Sequence, residues 1–309
     1  MKRISLLGCV LLISVACSMS QQLNTFGMYH LNRYQQCPAA AGTKPYMFVS
    51  GSYGRSWTGI EGAPSLQAVS AHKLVAERVG LGGKIFNENT GLSGKSGAEV
   101  SYAYHIPVTS GGAKLAFGLS AVLSQYSLFK DKFVLDDPDD EAIKYAENSL
   151  IVPDAAFGAT FYKPNTYWLD VGIYQLLGRK VSFLNSENLD NIQIRHYIIG
   201  AGFQVTFNPN FQLEPSALFK LTEKGVFQAD VGMNAVFRKM FAIGCYYRTN
   251  DAVRPFVGID TKNVAFGYSY GFVISEIGNY SNGSHEIILC LKLNYAKSSL
   301  DNEETVVNE

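Results

Sequence analysis

The sequence predicts an all-β chain folded as an antiparallel, membrane-spanning β-barrel of about 14 strands, with both termini on the periplasmic side. Three observations point there. Short segments of alternating hydrophobicity recur from Tyr46 to Tyr295, the connections between them are by turns very short and longer, and an export signal is followed by no apolar run long enough for a membrane helix.

Lys2 and Arg3 open the chain, followed by an apolar run from Ile4 to Val15 and small residues ending at Ser20. That order is a secretory signal, assigned to 1–20, and the run is too short to span as a helix. A competing reading makes Cys17 a lipidated first residue, but Ser14 stands where a bulky aliphatic residue is usual. Residues 21–44 then read as a periplasmic N-terminal segment, 45–295 as the barrel and 296–309 as a flexible acidic tail.

Strands are expected at 46–57, 65–74, 78–87, 95–108, 113–126, 153–162, 167–176, 193–208, 211–221, 227–237, 241–248, 254–260, 264–275 and 283–295. Leu169, Val171 and Ile173 alternate with Asp170 and Gly172, and Phe241, Ile243, Cys245 and Tyr247 alternate with Ala242, Gly244 and Tyr246. Successive strand side chains point to opposite faces, so one face is apolar and the other small or polar. A soluble sandwich also alternates, but it does not explain the loops. Tight connections fall at 75–77, 109–112, 163–166, 208–210, 238–240 and 261–263, whereas the largest others span 127–152 and 177–192. Short turns on one rim and longer loops on the other are the pattern of an outer-membrane barrel.

The 26 basic and 26 acidic residues balance, which removes the basic stripe that nucleic-acid binding requires. Outside the signal, Cys37, Cys245 and Cys290 have no spacing that suggests a disulfide framework or a metal site, and no cofactor is expected. Cys245 falls on the apolar face and Cys290 on the opposite one. The acidic run 136–141 lacks the regular ligand spacing of a calcium loop and reads as a solvated loop, with divalent-ion binding as the alternative.

Three polar constellations interrupt the pattern on the long-loop rim: Arg55, Trp57 and Glu61; Tyr247, Arg248 and Asp251; and Asn279, Ser284, His285 and Glu286. The first and last strands are neighbours in a closed barrel, so the first and third groups should meet across the seam. As a docking surface, Arg55 and Arg248 would pair with Asp251, Glu61, Glu286 or a partner's carboxylates. As a structural network, the same residues would order the loops. Catalysis is not expected, because adjacent Ser284 and His285 face opposite sides of a strand and His72 lies toward the other rim. Tyr46, Trp57, Tyr126, Tyr162, Tyr167, Trp168 and Tyr247 stand near strand ends, as interfacial girdles require. Gly80, Gly82, Gly118, Gly172, Gly200, Gly202 and Gly244 fall within strands, and small lumen residues leave room for a plug, a loop or a passing chain.

The stretch Met28, Tyr29, Asn32 and Pro38 to Gly42 resembles the opening of type IX secretion system membrane proteins of the PorP/SprF family. Arg55 to Trp57 with Gly62 to Pro64, the run Tyr247 to Val253, Gly267 to Tyr270 and Gly283 to Glu286 resemble it too, in family order. Two departures are Cys37, where the family more often has Asn, and Gly271, where an acidic residue often follows. The resemblance implies a non-enzymatic outer-membrane barrel of the secretion and gliding machinery that binds, exports or retains a secreted adhesin. Its implied partners are type IX secretion components and the cargo's C-terminal sorting domain, and a membrane-spanning barrel is expected to contact outer-membrane lipid as well. The alternative is a passive or substrate-selective diffusion channel.

Overall fold

The computed structural model describes residues 25–130, 148–181, 183 and 192–293. The signal 1–20, Cys17, the acidic run 136–141 and the tail 296–309 lie outside the described residues.

Fifteen strands form one antiparallel sheet: β1 (Met47–Arg55), β2 (Ser65–Ala76), β3 (Val79–Thr90), β4 (Ser93–Pro107), β5 (Lys114–Leu128), β6 (Ser149–Lys163), β7 (Tyr167–Tyr174), β8 (His196–Phe203), β9 (Val205–Asn208), β10 (Phe211–Thr222), β11 (Phe227–Phe237), β12 (Phe241–Arg248), β13 (Ala252–Asp260), β14 (Val264–Val273) and β15 (Ser284–Leu293). β8 and β9 are one barrel strand interrupted at Gln204, and both pair with β10. The ring closes where β15 pairs with β1 and β10 with β11, giving 14 staves and no free edge.

Two boundaries differ from the sequence expectation in an instructive way. The link between the third and fourth strands shrinks to Gly91 and Leu92, because the ladder continues through Asn87, Glu88, Asn89 and Thr90. Polar residues suggested a loop there, but strand pairing needs only backbone groups and persists beyond the apolar band. The 193–208 segment breaks at Gln204, whose N–H donates to the carbonyl of Thr166 in the neighbouring turn.

Alternation sets the two faces. Val69, Ile85, Leu119, Ile151, Leu289 and Ile243 are among many large apolar side chains exposed on the outside. In water such a face would associate; in a bilayer it meets hydrocarbon while the closed ladder satisfies every stave's backbone. Cys245 lies on this outer face and Cys290 is buried inside, and the described cysteines are unpaired.

The interior is filled by the chain itself. Residues 25–43, expected as a periplasmic segment, run through the lumen instead of leaving one rim. They form 3-10 turns at Arg33–Gln35 and Pro38–Ala40, and Tyr34, Cys37, Ala39, Ala40 and Ala41 are almost fully buried. The wall makes room with glycine. A Cβ on Gly118 would meet the Ala39 nitrogen at 2.4 Å, and one on Gly80 would meet the Ala41 oxygen at 2.1 Å.

This segment would be costly to bury without partners, because each unsatisfied amide in a sheltered site costs about 1 to 3 kcal/mol. Wall side chains supply partners along much of the segment, although His30 Nδ1 and Nε2, Asn32 Oδ1 and Gln36 Oε1 are buried with no hydrogen bond among the described residues. Asn32 Nδ2 donates to Ser50 Oγ at 2.6 Å and Ser70 Oγ at 2.9 Å, and Tyr34 Oη lies 2.8 Å from Ser101 Oγ. Arg33 forms a fork on Asp170, with Nε to Oδ2 at 2.7 Å and Nη2 to Oδ1 at 2.5 Å, while its guanidinium stacks over the Trp168 ring. Near the short-turn rim, the Gly42 N–H donates to His72 Nδ1 at 3.1 Å, and His105 Nε2 lies 2.8 Å from the Ala41 carbonyl oxygen.

Several aromatic residues expected in the girdles serve this plug. Tyr46 and Tyr162 are buried inside, and Trp168 packs against the lumen cluster beneath Arg33. Their parity, not their nearness to strand ends, decides the face; Tyr247, of opposite parity to buried Tyr246, is exposed outside.

Candidate functional site

The long-loop rim carries residues 56–64 and 274–283, and the N-terminal segment comes up to meet it. Phe26 packs with Leu66 and Ala68, and Thr25 Oγ1 accepts from Lys220 Nζ at 2.6 Å. Glu286, at the top of β15, then receives the two backbone N–H groups of Gly27 and Met28, each at 2.8 Å and on separate carboxylate oxygens. A charged hydrogen bond of this kind is stronger than a neutral one, and here it is doubled.

Glu286 belongs to a buried charge network. Arg254 Nη1 approaches Glu286 Oε2 at 3.4 Å and its Nη2 approaches Asp251 Oδ2 at 3.3 Å. Arg248 grips Asp230 through two bonds of 2.7 Å, and a third acid, Asp251, lies 3.8 Å from its Nη1. Strand register explains the gathering: Asp230 faces Arg248 across β11 and β12, and Ser269 faces Glu286 across β14 and β15. Arg248 and Arg254 thus face Asp230, Asp251 and Glu286, and Lys220 joins the edge of the network through Thr25. Such a network is conditional: intact it is tolerable, but deleting one partner strands a buried charge at a cost of about 3 to 5 kcal/mol.

The nine residues singled out from sequence divide by strand parity and loop position. The expected seam contact is present, since Arg55 stands opposite His285, the Trp57 N–H donates to Ser284 Oγ at 3.1 Å and Thr58 bonds Gly283. Trp57 adopts a positive φ of 50°, and its Nε1 reaches toward Asp251 Oδ1 at 3.4 Å. Arg248, Asp251, Ser284 and Glu286 sit inside the mouth. Glu61 and Asn279 are exposed on the loops. Arg55 and His285 point outward beside their lumen-facing chain neighbours Gly54 and Ser284, so the expected pairing of Arg55 with Asp251, Glu61 or Glu286 is not formed among the described residues, whereas Arg248 does approach Asp251. Ser284 is buried inside while His285 Nδ1 contacts Tyr268 Oη outside at 2.8 Å, so these two side chains stand on opposite faces of the wall.

Sequence reasoning missed Asp230, Arg254 and Lys220. A usable signal existed, because each shares parity with buried neighbours: Asp230 with Asn234, Arg254 with Phe256. Charge at a lumen position of a strand is itself the marker. Beside the plug, on the half of the mouth away from this network, a cavity of about 90 Å³ is lined by Phe26, Lys84, Phe86, Glu88, Lys95 and Tyr174. Among the described residues no group of His, Cys, Asp and Glu is arranged to hold a metal ion.

The family model described as type IX secretion system membrane protein PorP/SprF matches residues 18–291. No curated protein shows a significant match. Among solved structures, the Ralstonia pickettii toluene transporter TbuX is similar at 10% identity, covering 87% of this chain and 94% of its own, with a TM-score of 0.51. A Pseudomonas aeruginosa FadL homologue is similar at 10% identity over 82% of this chain and 91% of its own, with a TM-score of 0.45. At such identity the likeness to TbuX bears on the barrel fold alone.

Proposed function

This chain belongs to the PorP/SprF family of type IX secretion system membrane proteins and is an integral β-barrel of the outer membrane, and on that premise we propose that it captures a secreted cargo protein at its long-loop mouth. The observation that carries this reading is the plug. A lumen occupied from Phe26 to Gly42 and latched at Glu286 makes the mouth a floored basin, suited to holding a polypeptide rather than to free diffusion.

The short-turn rim then faces the periplasm and the long loops face the outside, as bacterial barrels are generally oriented. The C-terminal end of β15 leaves on the periplasmic side, toward other secretion components, while the cargo's C-terminal sorting domain docks from outside. Trp57, Glu61 and Asn279 present the contact groups, and Arg248, Asp251, Ser284 and Glu286 hold the rim that displays them. The chain acts without catalysis, as a receptor and anchor.

Affinity purification of the barrel from secreting cells tests this. Wild type should bring down a large secreted protein together with secretion components, and Trp57→Ala with Asn279→Ala should lose the secreted protein while keeping normal heat-modifiable migration. Steady single-channel conductance of the wild-type barrel, with normal secretion in a deletion strain, would instead establish a diffusion channel.

A further inference from the structure

The outward-facing residues left over by the mouth network form a pattern of their own. At the top of the barrel wall, Asn89, Ser65, Arg55, His285 and Tyr270 are successive cross-strand partners over β3, β2, β1, β15 and β14. Directly opposed residues in such a ladder have Cβ atoms about 4.5 to 5.5 Å apart, so the five side chains make one continuous row. The next outward row below is Asn87, Gln67, Tyr53, Ile287 and Tyr268, polar or amphipathic but for Ile287, and the one below that is Ile85, Val69, Gly51, Leu289 and Phe266, entirely apolar. Hydrocarbon-facing wall therefore gives way to polar wall within two rows. The upper row sits at headgroup level.

Two features make this more than a generic interfacial belt. Neither polar row contains a carboxylate, and Arg55 forms no ion pair among the described residues, although every other arginine or lysine of the mouth network has an acid or hydroxyl partner. The His285 ring is also fixed: Tyr268 Oη lies 2.8 Å from Nδ1, and the Tyr270 ring meets it edge-on with centroids 5.1 Å apart. When Nδ1 accepts from Tyr268, the Nε2–H is left to donate. A guanidinium fork beside an oriented imidazole and the Ser65 hydroxyl matches the oxygens of a phosphate monoester, while the Tyr268 and Tyr270 hydroxyls are engaged by His285 and the Asn282 carbonyl and serve to fix the ring.

We propose that Arg55 and His285 form a binding site on the outer wall for the phosphate of an outer-leaflet glycolipid, whose acyl chains lie along the Val69, Leu289 and Phe266 face. An acidic protein partner is disfavoured by position, because the row opens sideways onto the membrane and not upward into the mouth. The site is independent of cargo capture and stands or falls separately from it.

Native mass spectrometry of the full chain, released from detergent micelles, tests the site with bisphosphorylated lipid A and its phosphate-free counterpart as probes. The wild type should retain the phosphorylated lipid, with the phosphate-free form bound about tenfold or more weakly, as loss of a charge-assisted contact implies. Arg55→Ala with His285→Ala should erase that preference, Arg55→Gln with His285→Asn should weaken it without disturbing heat-modifiable migration, and Arg195→Ala, in an exposed pair with Glu223, should leave it unchanged. Equal retention of both lipids by the wild type, or an unchanged preference in the double variants, overturns the proposal. So does saturation by inorganic phosphate alone, which would mark a free-anion site, or loss of cargo with lipid binding intact, which would assign the pair to protein docking.

Discussion

The backbone N–H of Gly27 donates to the Glu286 carboxylate at 2.8 Å across 259 positions of sequence, joining the first described turn of the chain to the last strand. A Cβ at this position would sit 2.6 Å from Arg254 Nη1 and 3.2 Å from Glu286 Oε2, so a side chain there would displace the ends of the two groups that hold the segment. One contact thus couples the mouth's charge network to the position of the plug.

Glu286→Ala should loosen the plug at the mouth. It removes the acceptor for two buried amides, each loss costing about 1 to 3 kcal/mol, and takes from buried Arg254 one of its two described acids, a loss of about 3 to 5 kcal/mol. Planar-bilayer recordings should then show flickering conductance that the wild type lacks. A closed variant, with the barrel intact by heat-modifiable migration, would mean the latch does not seat the segment.

Wall glycines should separate plug seating from barrel formation. Gly118→Ala places a methyl against the backbone of Pro38 and Ala39, atoms that cannot swing aside, whereas Gly51→Ala finds nothing within 4 Å. Both lie in strands and both gain β-compatible side chains. Trypsin should cleave Gly118→Ala within residues 25–43 at Arg33 much faster than wild type, with Gly51→Ala indistinguishable; equal rates for the two variants would sink the close-packing argument.

The barrel was legible because its determinants are local: alternation within strands and contrast between loops need no knowledge of distant residues. Glycines at 80, 118 and 172 even marked a lumen with room in it. What filled the room was not legible, because residues 25–43 carry no periodic signal, and their order comes from partners such as Ser50, Asp170 and Glu286 scattered over the chain. The mouth was half legible for the same reason. Residues in sequence clusters, such as Ser284 to Glu286, stood out, while isolated Asp230 and Arg254 acquire meaning only once register places them beside Arg248 and Glu286.

Arg33 and Asp170 should behave as a unit. Their side chains are 13% and 8% exposed, so Arg33→Ala leaves a buried carboxylate with Thr160 as its one remaining hydrogen-bond donor among the described residues, a loss of about 3 to 5 kcal/mol. Removing the charge as well, with Asp170→Asn, should recover much of it. Denaturant unfolding in micelles as a double-mutant cycle measures this coupling, and strictly additive losses would contradict the ion pair.

The direction of the N-terminal segment gives the last prediction. From Tyr46 beside the short-turn rim, the chain passes Gly42 at His72, Asn32 at Ser50 and Gly27 at Glu286, so its position along the barrel axis rises as residue number falls. Thr25 accordingly reaches Lys220 near the top of β10, while Pro45 is exposed at the opposite end. A membrane-impermeant thiol reagent applied to intact cells should label Thr25→Cys, whereas Pro45→Cys should react only after the outer membrane is permeabilised. The native thiols among the described residues will not confuse the readout, because Cys37 and Cys290 are buried and Cys245 lies on the lipid-facing wall, beyond a charged reagent. The reverse pattern would require the barrel to be inverted in the membrane, and labelling of both positions only after permeabilisation would mean that the segment does not traverse the lumen.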